Sequence, residues 1–362
     1  MYPDDFLNRK LDERRSNHSF RQLRLPEGKV DFCSNDYLGI VKQKLLHAAD
    51  ATFATGSTGS RLLAGNYPLI GEVEQEIAAF HQSAAALLFN SGYDANLGLL
   101  ASVPQKGDTI LYDQLSHASI RDGIRLSFAQ AFSFAHNDMN DLQKKMEHAT
   151  GTVFIVTESV FSMDGDTCPL DELVNIAQAN HAHLVIDEAH ATGVVGDKGE
   201  GLAQLLGKQD AIFARIHTFG KACGVHGAVV LGSDMLRDYL INFARSLVYS
   251  TALPEHSVAI IRDSYRLFPS MHAERKQLEK LIIHFQSTPI AYEKLPSQTP
   301  IQIVLVPGNE AVKALAEKLQ EENMDVRAIL YPTVPKGKER LRIVLHAFNT
   351  VEEVTILLNH LH

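Results

Sequence analysis

Asp187 follows the apolar run His183–Ile186, which sets its carboxylate at the end of a buried strand, with His190 three residues further on. A carboxylate placed there is costly unless a cation meets it. The protonated ring nitrogen of pyridoxal phosphate (PLP) is such a cation; capping the next turn is the plainer alternative. Lys221, in Thr218-Phe219-Gly220-Lys221, lies between two apolar runs in a loop that also holds Gly224 and Gly227. An amine partly removed from water there has a lowered pKa and forms Schiff bases, whereas a lysine in a glycine-rich loop is otherwise a solvated surface residue. Ser91-Gly92-Tyr93-Asp94 turns from an apolar run into a helical pattern, an arrangement that offers free N–H groups to an anion such as phosphate. His117, in Ser116-His117-Ala118-Ser119, sits just past another apolar run, where an imidazole can lie flat on a cofactor ring; a helix cap beside a surface histidine is the alternative.

Other chemistries lack their parts. Asp187-Glu188-Ala189-His190 also resembles the acidic motif of an ATPase, but no GxxxxGK[ST] loop accompanies it. Gly56-Ser57-Thr58-Gly59-Ser60-Arg61 is not a dinucleotide-binding GxGxxG fingerprint. His217, Cys223 and His226 follow no standard zinc spacing, so no metal site is expected.

The elements that must position these residues alternate along the chain. Ala85–Phe89, Thr109–Tyr112, Val153–Thr157, His183–Ile186, Ile212–His217 and Ala228–Leu231 read as buried strands. Gly71–His81, Asp94–Ser102, Ser119–Gln130, Leu142–His148 and Leu170–Asn180 read as helices between them. That alternation predicts an α/β architecture with a mostly parallel sheet and ligands at the carboxyl ends of its strands. Residues 1–25 read as one helix with a Phe6, Leu7, Leu11 seam. After about residue 250 a long helix over Glu255–Phe285 leads into an α+β texture: Ile301–Val306, a helix over Glu310–Asn323, Val326–Leu330, Leu341–His346 and a last helix from Val351. The expected divisions are an N-terminal segment at 1–45, a large domain at 46–250 and a small domain at 251–362.

With 362 residues, 45% of them hydrophobic and 21% charged, the chain is neither disordered nor a small disulfide scaffold. A net charge of −9 leaves no basic surplus for phosphate backbones, so a nucleic-acid partner is not expected. Cys33, Cys168 and Cys223 show no CxxC spacing, the charged start MYPDDFLNRKLDERR has no apolar signal region, and no apolar run approaches a membrane span. A cytoplasmic protein without a membrane partner is expected.

Read together, the strings resemble the α-oxoamine synthases, PLP enzymes of fold-type I. Carrying that resemblance are Ser34-Asn35-Asp36-Tyr37-Leu38-Gly39, Gly56–Arg61, Leu88–Tyr93, Leu115–Ser119, Glu158–Asp166, Asp187–His190, Thr218–Lys221 and Tyr249-Ser250-Thr251. They run in family order over nearly the whole chain. The resemblance implies an aspartate-aminotransferase-like fold, with a mostly parallel large domain and a smaller α+β C-terminal domain. It further implies that Lys221 forms the Schiff base, Asp187 pairs with the pyridine nitrogen and His117 stacks on the ring. By the same resemblance, His190 and Ser162 reach the ring hydroxyl region, and Gly92, Tyr93 and Thr218 hold the phosphate. Thr251 comes from the partner subunit of a homodimer whose active site lies at the interface. Arg342 holds the amino-acid carboxylate, Asn35 lies near the reacting centre and Arg21 meets the acyl substrate. Leu11–Arg15, Ser34-Asn35-Asp36 and Thr333-Val334-Pro335 ahead of Arg340-Leu341-Arg342 favour a biotin-pathway activity that joins L-alanine to a pimeloyl thioester carried on CoA or a carrier protein. A sister activity joining glycine or serine to another acyl-CoA is the alternative. Ile70 and His226 stand where the family often has His and Ser.

Overall fold

A computed structural model describes residues 2, 4–23, 25, 28–47 and 52–362. The chain forms two compact units. The larger comprises Leu38–Ser162 and Thr167–Arg275; the smaller comprises Met1–Tyr37, Met163–Asp166 and Lys276–His362. These divisions fall elsewhere than the sequence boundaries at 45 and 250, because the small unit takes chain from three places.

The chain starts with helix α1 (Asn8–Ser16) and strand β1 (Val30–Asp31). The large unit then runs α2 (Pro68–Phe80), β2 (Ala85–Phe89), α3 (Gly92–Ser102), β3 (Thr109–Asp113), α4 (Ala118–Leu126), β4 (Gln130–Phe134), α5 (Met139–Met146), β5 (Val153–Glu158), α6 (Leu170–Ala179) and β6 (His183–Asp187). After the single turn α7 (Leu202–Leu205) come β7 (Ala214–Thr218), β8 (Ala228–Gly232), α8 (Asp234–Phe243), the short α9 (Arg245–Val248) and α10 (Glu255–Leu267). The sheet order is β2-β8-β7-β6-β5-β3-β4, parallel except for β8, which runs antiparallel to both neighbours.

Helices cover both faces, so most strands are apolar throughout. Alternate strand residues feed two cores. Phe154 and Val156 join Leu99, Ile120 and Leu240 in one, while Ile155 joins Leu142, Leu173 and Val174 in the other. Strand β4 is the exception: it closes an edge of the sheet and exposes all but Phe134, so its sequence lacks a buried-strand signature, and its first residue, Gln130, falls in the expected helix over Ser119–Gln130.

In the small unit follow α11 (His272–Ser287), which starts in the large unit, then β9 (Ile301–Leu305), α12 (Asn309–Glu321), β10 (Met324–Asp325), β11 (Arg327–Ile329), β12 (Arg340–Val344) and α13 (Val351–Asn359). Strand β12 lies between β11 and β9, antiparallel to both, and β1 pairs in parallel with β10. Helix α13 starts on a capping box, with Thr350 and Glu353 satisfying each other's backbone N–H groups.

Two helical expectations change. The long helix over 255–285 is broken by a 3₁₀ turn at Phe268–Ser270, where Pro269 cannot donate an N–H. The N-terminal helix stops at Ser16, and His18 takes a positive φ of 52°; none of its residues is buried, and Phe6 is 79% exposed. Among the described residues no helix is long and apolar enough to cross a membrane.

Candidate active site

Strands β5 and β6 both end on acids, Glu158 and Asp187, which are register partners across the parallel pair. Side chains at such partners project from the same face of a sheet. Asp187 is 4% exposed; its Oδ1 accepts from the Ala189 N–H at 2.8 Å and its Oδ2 from the Asn96 amide at 2.7 Å. It forms no ion pair among the described residues.

His117 occupies the N-cap of α4. Its backbone N–H donates to Glu158 Oε1 at 2.6 Å, and its Nδ1 lies 2.8 Å from Ser119 Oγ and 3.2 Å from the Ser119 N–H. Burial holds its pKa below the usual imidazole range; the charge of Lys221 acts in the same direction and that of Asp187 against it. Asn96 Nδ2 also reaches Ser119 Oγ at 3.1 Å. A continuous chain of hydrogen bonds therefore runs Asp187–Asn96–Ser119–His117–Glu158.

Lys221 lies in the tight loop between β7 and β8. Phe219 N–H donates to the Gly227 carbonyl at 2.9 Å, and the Lys221 carbonyl accepts from Gly224 N–H at 2.9 Å. Phe219, Ala222 and Cys223 are buried around the lysine. Gly224 has φ +66°, and a Cβ there would come within 2.6 Å of Ile40 Cγ2, so the turn requires glycine.

At the last residue of β7, Thr218 stands against the first residue of α3: a Cβ on Gly92 would come within 2.3 Å of Thr218 Cγ2. Thr218 Oγ1 is buried and has no hydrogen-bond partner among the described residues. Ser91 caps α3, its Oγ accepting from Asp94 N–H at 3.1 Å, and Tyr93 donates its phenol proton to Asp122. His190 and Ser162 are buried, His190 in the turn just past Asp187 and Ser162 in the segment after β5. Thr251 has an exposed side chain, and its carbonyl accepts from the Asn90 amide at 2.9 Å.

These features fit PLP. Thr218 Oγ1 is an unmet hydroxyl beside a helix N-terminus, suited to a phosphate oxygen. Asp187 is a buried carboxylate with no ion pair among the described residues, suited to a protonated pyridine nitrogen. Lys221 supplies an amine and His117 a flat imidazole.

The small unit holds the other sequence candidates. Arg342 on β12 donates from Nη2 to Asn35 Oδ1 at 3.0 Å, and the buried Tyr37 hydroxyl donates to the same oxygen at 3.1 Å. Arg21 is exposed and its Nη2 lies 3.4 Å from Thr333 Oγ1.

Sequence reasoning missed Asn96, Ser119 and Glu158. Glu158 carried the signal that exposed Asp187, an acid closing an apolar strand. Asn96 and Ser119 sit inside helical patterns as neutral polar residues, and only the packing of α3 on α4 brings them together.

Residues 27–361 match the model of the family described as aminotransferase class I and II, and the chain belongs to that family. It is 42% identical to an 8-amino-7-oxononanoate synthase of Emericella nidulans, over 98% of this chain and 94% of that protein. Among solved structures it is similar to 8-amino-7-oxononanoate synthase from Francisella tularensis, with TM-score 0.74, 28% identity and coverage of 92% of this chain and 97% of that one. It is also similar to serine palmitoyltransferase from S. paucimobilis with bound PLP-myriocin aldimine, with TM-score 0.87, 25% identity and coverage of 99% and 96%.

Proposed function

We propose that the chain is a PLP-dependent acyltransferase that condenses L-alanine with a pimeloyl thioester, releasing CO₂ and the free thiol and giving 8-amino-7-oxononanoate for biotin synthesis. It acts in the cytoplasm as a homodimer, with Thr251 reaching the partner's site. The observation that carries the reading is the buried Asp187 carboxylate at the end of β6, held by Asn96 and Ala189 and without an ion pair among the described residues. Likeness to the Emericella synthase narrows the chemistry to this acyl transfer.

Lys221 would hold the cofactor covalently, Asp187 would meet its ring nitrogen and His117 would pack on its ring. Thr218 with the Gly92–Tyr93 turn takes the phosphate, and Ser162 and His190 meet the ring hydroxyl. When bound, PLP supplies an electron sink for charge developing at the amino-acid Cα. The Lys221 amine would be the base placed to take the amino-acid Cα proton. Arg342 and Asn35 orient the α-carboxylate by a charge-assisted bond, and Arg21 meets the far carboxylate of the acyl chain. Orientation matters because two substrates must meet in order.

A panel of L-alanine, glycine and L-serine against pimeloyl, acetyl and palmitoyl thioesters, read by thiol release, tests this. Alanine with the pimeloyl donor is expected to give the highest kcat/KM; a faster glycine–acetyl pair would overturn the assignment.

A further inference from the structure

Hydrogen-bond direction around His117 follows from which atoms can donate. Asp187 is an acceptor at Oδ2, so the Asn96 atom 2.7 Å away is its NH₂ group, which only donates. That same NH₂ faces Ser119 Oγ at 3.1 Å, so Ser119 accepts there. Its single proton is then directed to His117 Nδ1, 2.8 Å away, which also faces the Ser119 N–H at 3.2 Å. With two donors aimed at it, Nδ1 is an acceptor, and the ring hydrogen belongs on Nε2. The backbone of the same residue is fixed independently by Glu158 Oε1. Asn96, Ser119 and Glu158 are all nearly inaccessible to solvent, so water does not compete for these bonds.

We propose that Asn96 and Ser119 are positioning residues that lock His117 as a neutral imidazole with its hydrogen on Nε2, referenced through Asn96 to the Asp187 carboxylate. The bond made by one ring nitrogen commonly fixes what the other presents. Here it presents an Nε2–H donor, and the flat neutral ring does not compete as a cation for Asp187. The functional use of the lock rests on the reading of His117 as the residue that packs on the cofactor; the tautomer itself does not.

The test is solid-state NMR of the PLP-loaded protein labelled with ¹⁵N-histidine, with His117 assigned by the signals missing from His117→Gln. The parent is expected to show a bare Nδ1 and a protonated Nε2. Ser119→Ala should shift that pattern toward the other tautomer or the imidazolium and change the visible circular dichroism of bound PLP. It should also lower kcat about tenfold, the scale of one lost hydrogen bond, with the KM for alanine little changed. Ser119→Thr, which keeps the hydroxyl, should retain the parent pattern, and Asn96→Ala should move it in the same direction as Ser119→Ala. A parent His117 protonated on Nδ1, or a Ser119→Ala spectrum unchanged in tautomer and dichroism, would overturn the proposal. A protein that takes up no PLP would overturn the function reading instead, and the tautomer measured in it would still decide the lock.

Discussion

Glu158 and Asp187 stand opposite one another on β5 and β6 as two buried carboxyls, 2% and 4% exposed, each closing its strand. Burial, and after it the charge of Asp187, push the Glu158 carboxyl up to about 8; the Asp113 charge adds to the shift, while the His117 N–H and the Lys221 charge oppose it.

That shift makes stability depend on pH. Below the unfolded value of 4.5 the Glu158 carboxyl is neutral in both states. Between there and about 8 the unfolded chain has lost the proton and the folded chain keeps it. Stability contributed by this group is therefore lost as pH rises through that window. Glu158→Gln, which cannot ionise, should gain stability relative to the parent as pH rises from 5 to about 8. Thermal melts of the cofactor-free proteins across that range check this, and a constant difference would contradict it.

Lys221→Ala should fold but lose the covalent link to the cofactor. After borohydride treatment, peptide mass spectrometry of the parent should find the adduct on Lys221. An adduct on a different lysine, or none, would sink the assignment.

Asp187→Asn keeps the shape and removes the charge. Losing one preorganised electrostatic group of this kind typically costs ~10²–10³ in rate. Stopped-flow measurement of Cα proton loss from alanine gives the number, and near-normal rates would mean that Asp187 is only a cap.

Gly92→Ala drives a Cβ to within 2.3 Å of Thr218 Cγ2, so β7 and the start of α3 must part. PLP affinity should fall while the amino-acid preference stays the same. Equilibrium dialysis of PLP would show this, with unchanged affinity as the contrary result.

The two arginines should separate. Arg342→Ala is expected to raise KM for every amino acid, since all present an α-carboxylate, and Arg21→Ala to raise it for the acyl donor alone. One methyl distinguishes alanine from glycine, which a pocket converts into only ~1–3 kcal/mol. Steady-state kinetics with each substrate varied in turn decides the split.

Much of this architecture can be read from the residues because buried parallel strands are short and apolar. Ala85–Phe89 begins and ends where expected, and β3, β5 and β6 each gain one further residue, the acids Asp113, Glu158 and Asp187. Exposed elements were harder. Nothing in Gln130–Phe134 separates an edge strand from the end of α4, and α1 buries no face that its pattern had to match. Charged site residues stood out because a buried charge needs a reason. Asn96 and Ser119 did not, since a neutral amide and a hydroxyl acquire meaning only from the atoms packed around them.

The pairing of β1 with β10 also bears on the order in which the protein is made. Val30 lies beside Met324. About 300 residues separate them, so at ~5–20 residues per second the ribosome delivers the second strand roughly 15–60 s after the first. Phe32, wholly buried in the finished molecule, has to wait out that interval before its surroundings exist. All seven strands of the large sheet are synthesised in the meantime, so that sheet is able to form before β1 finds its partner.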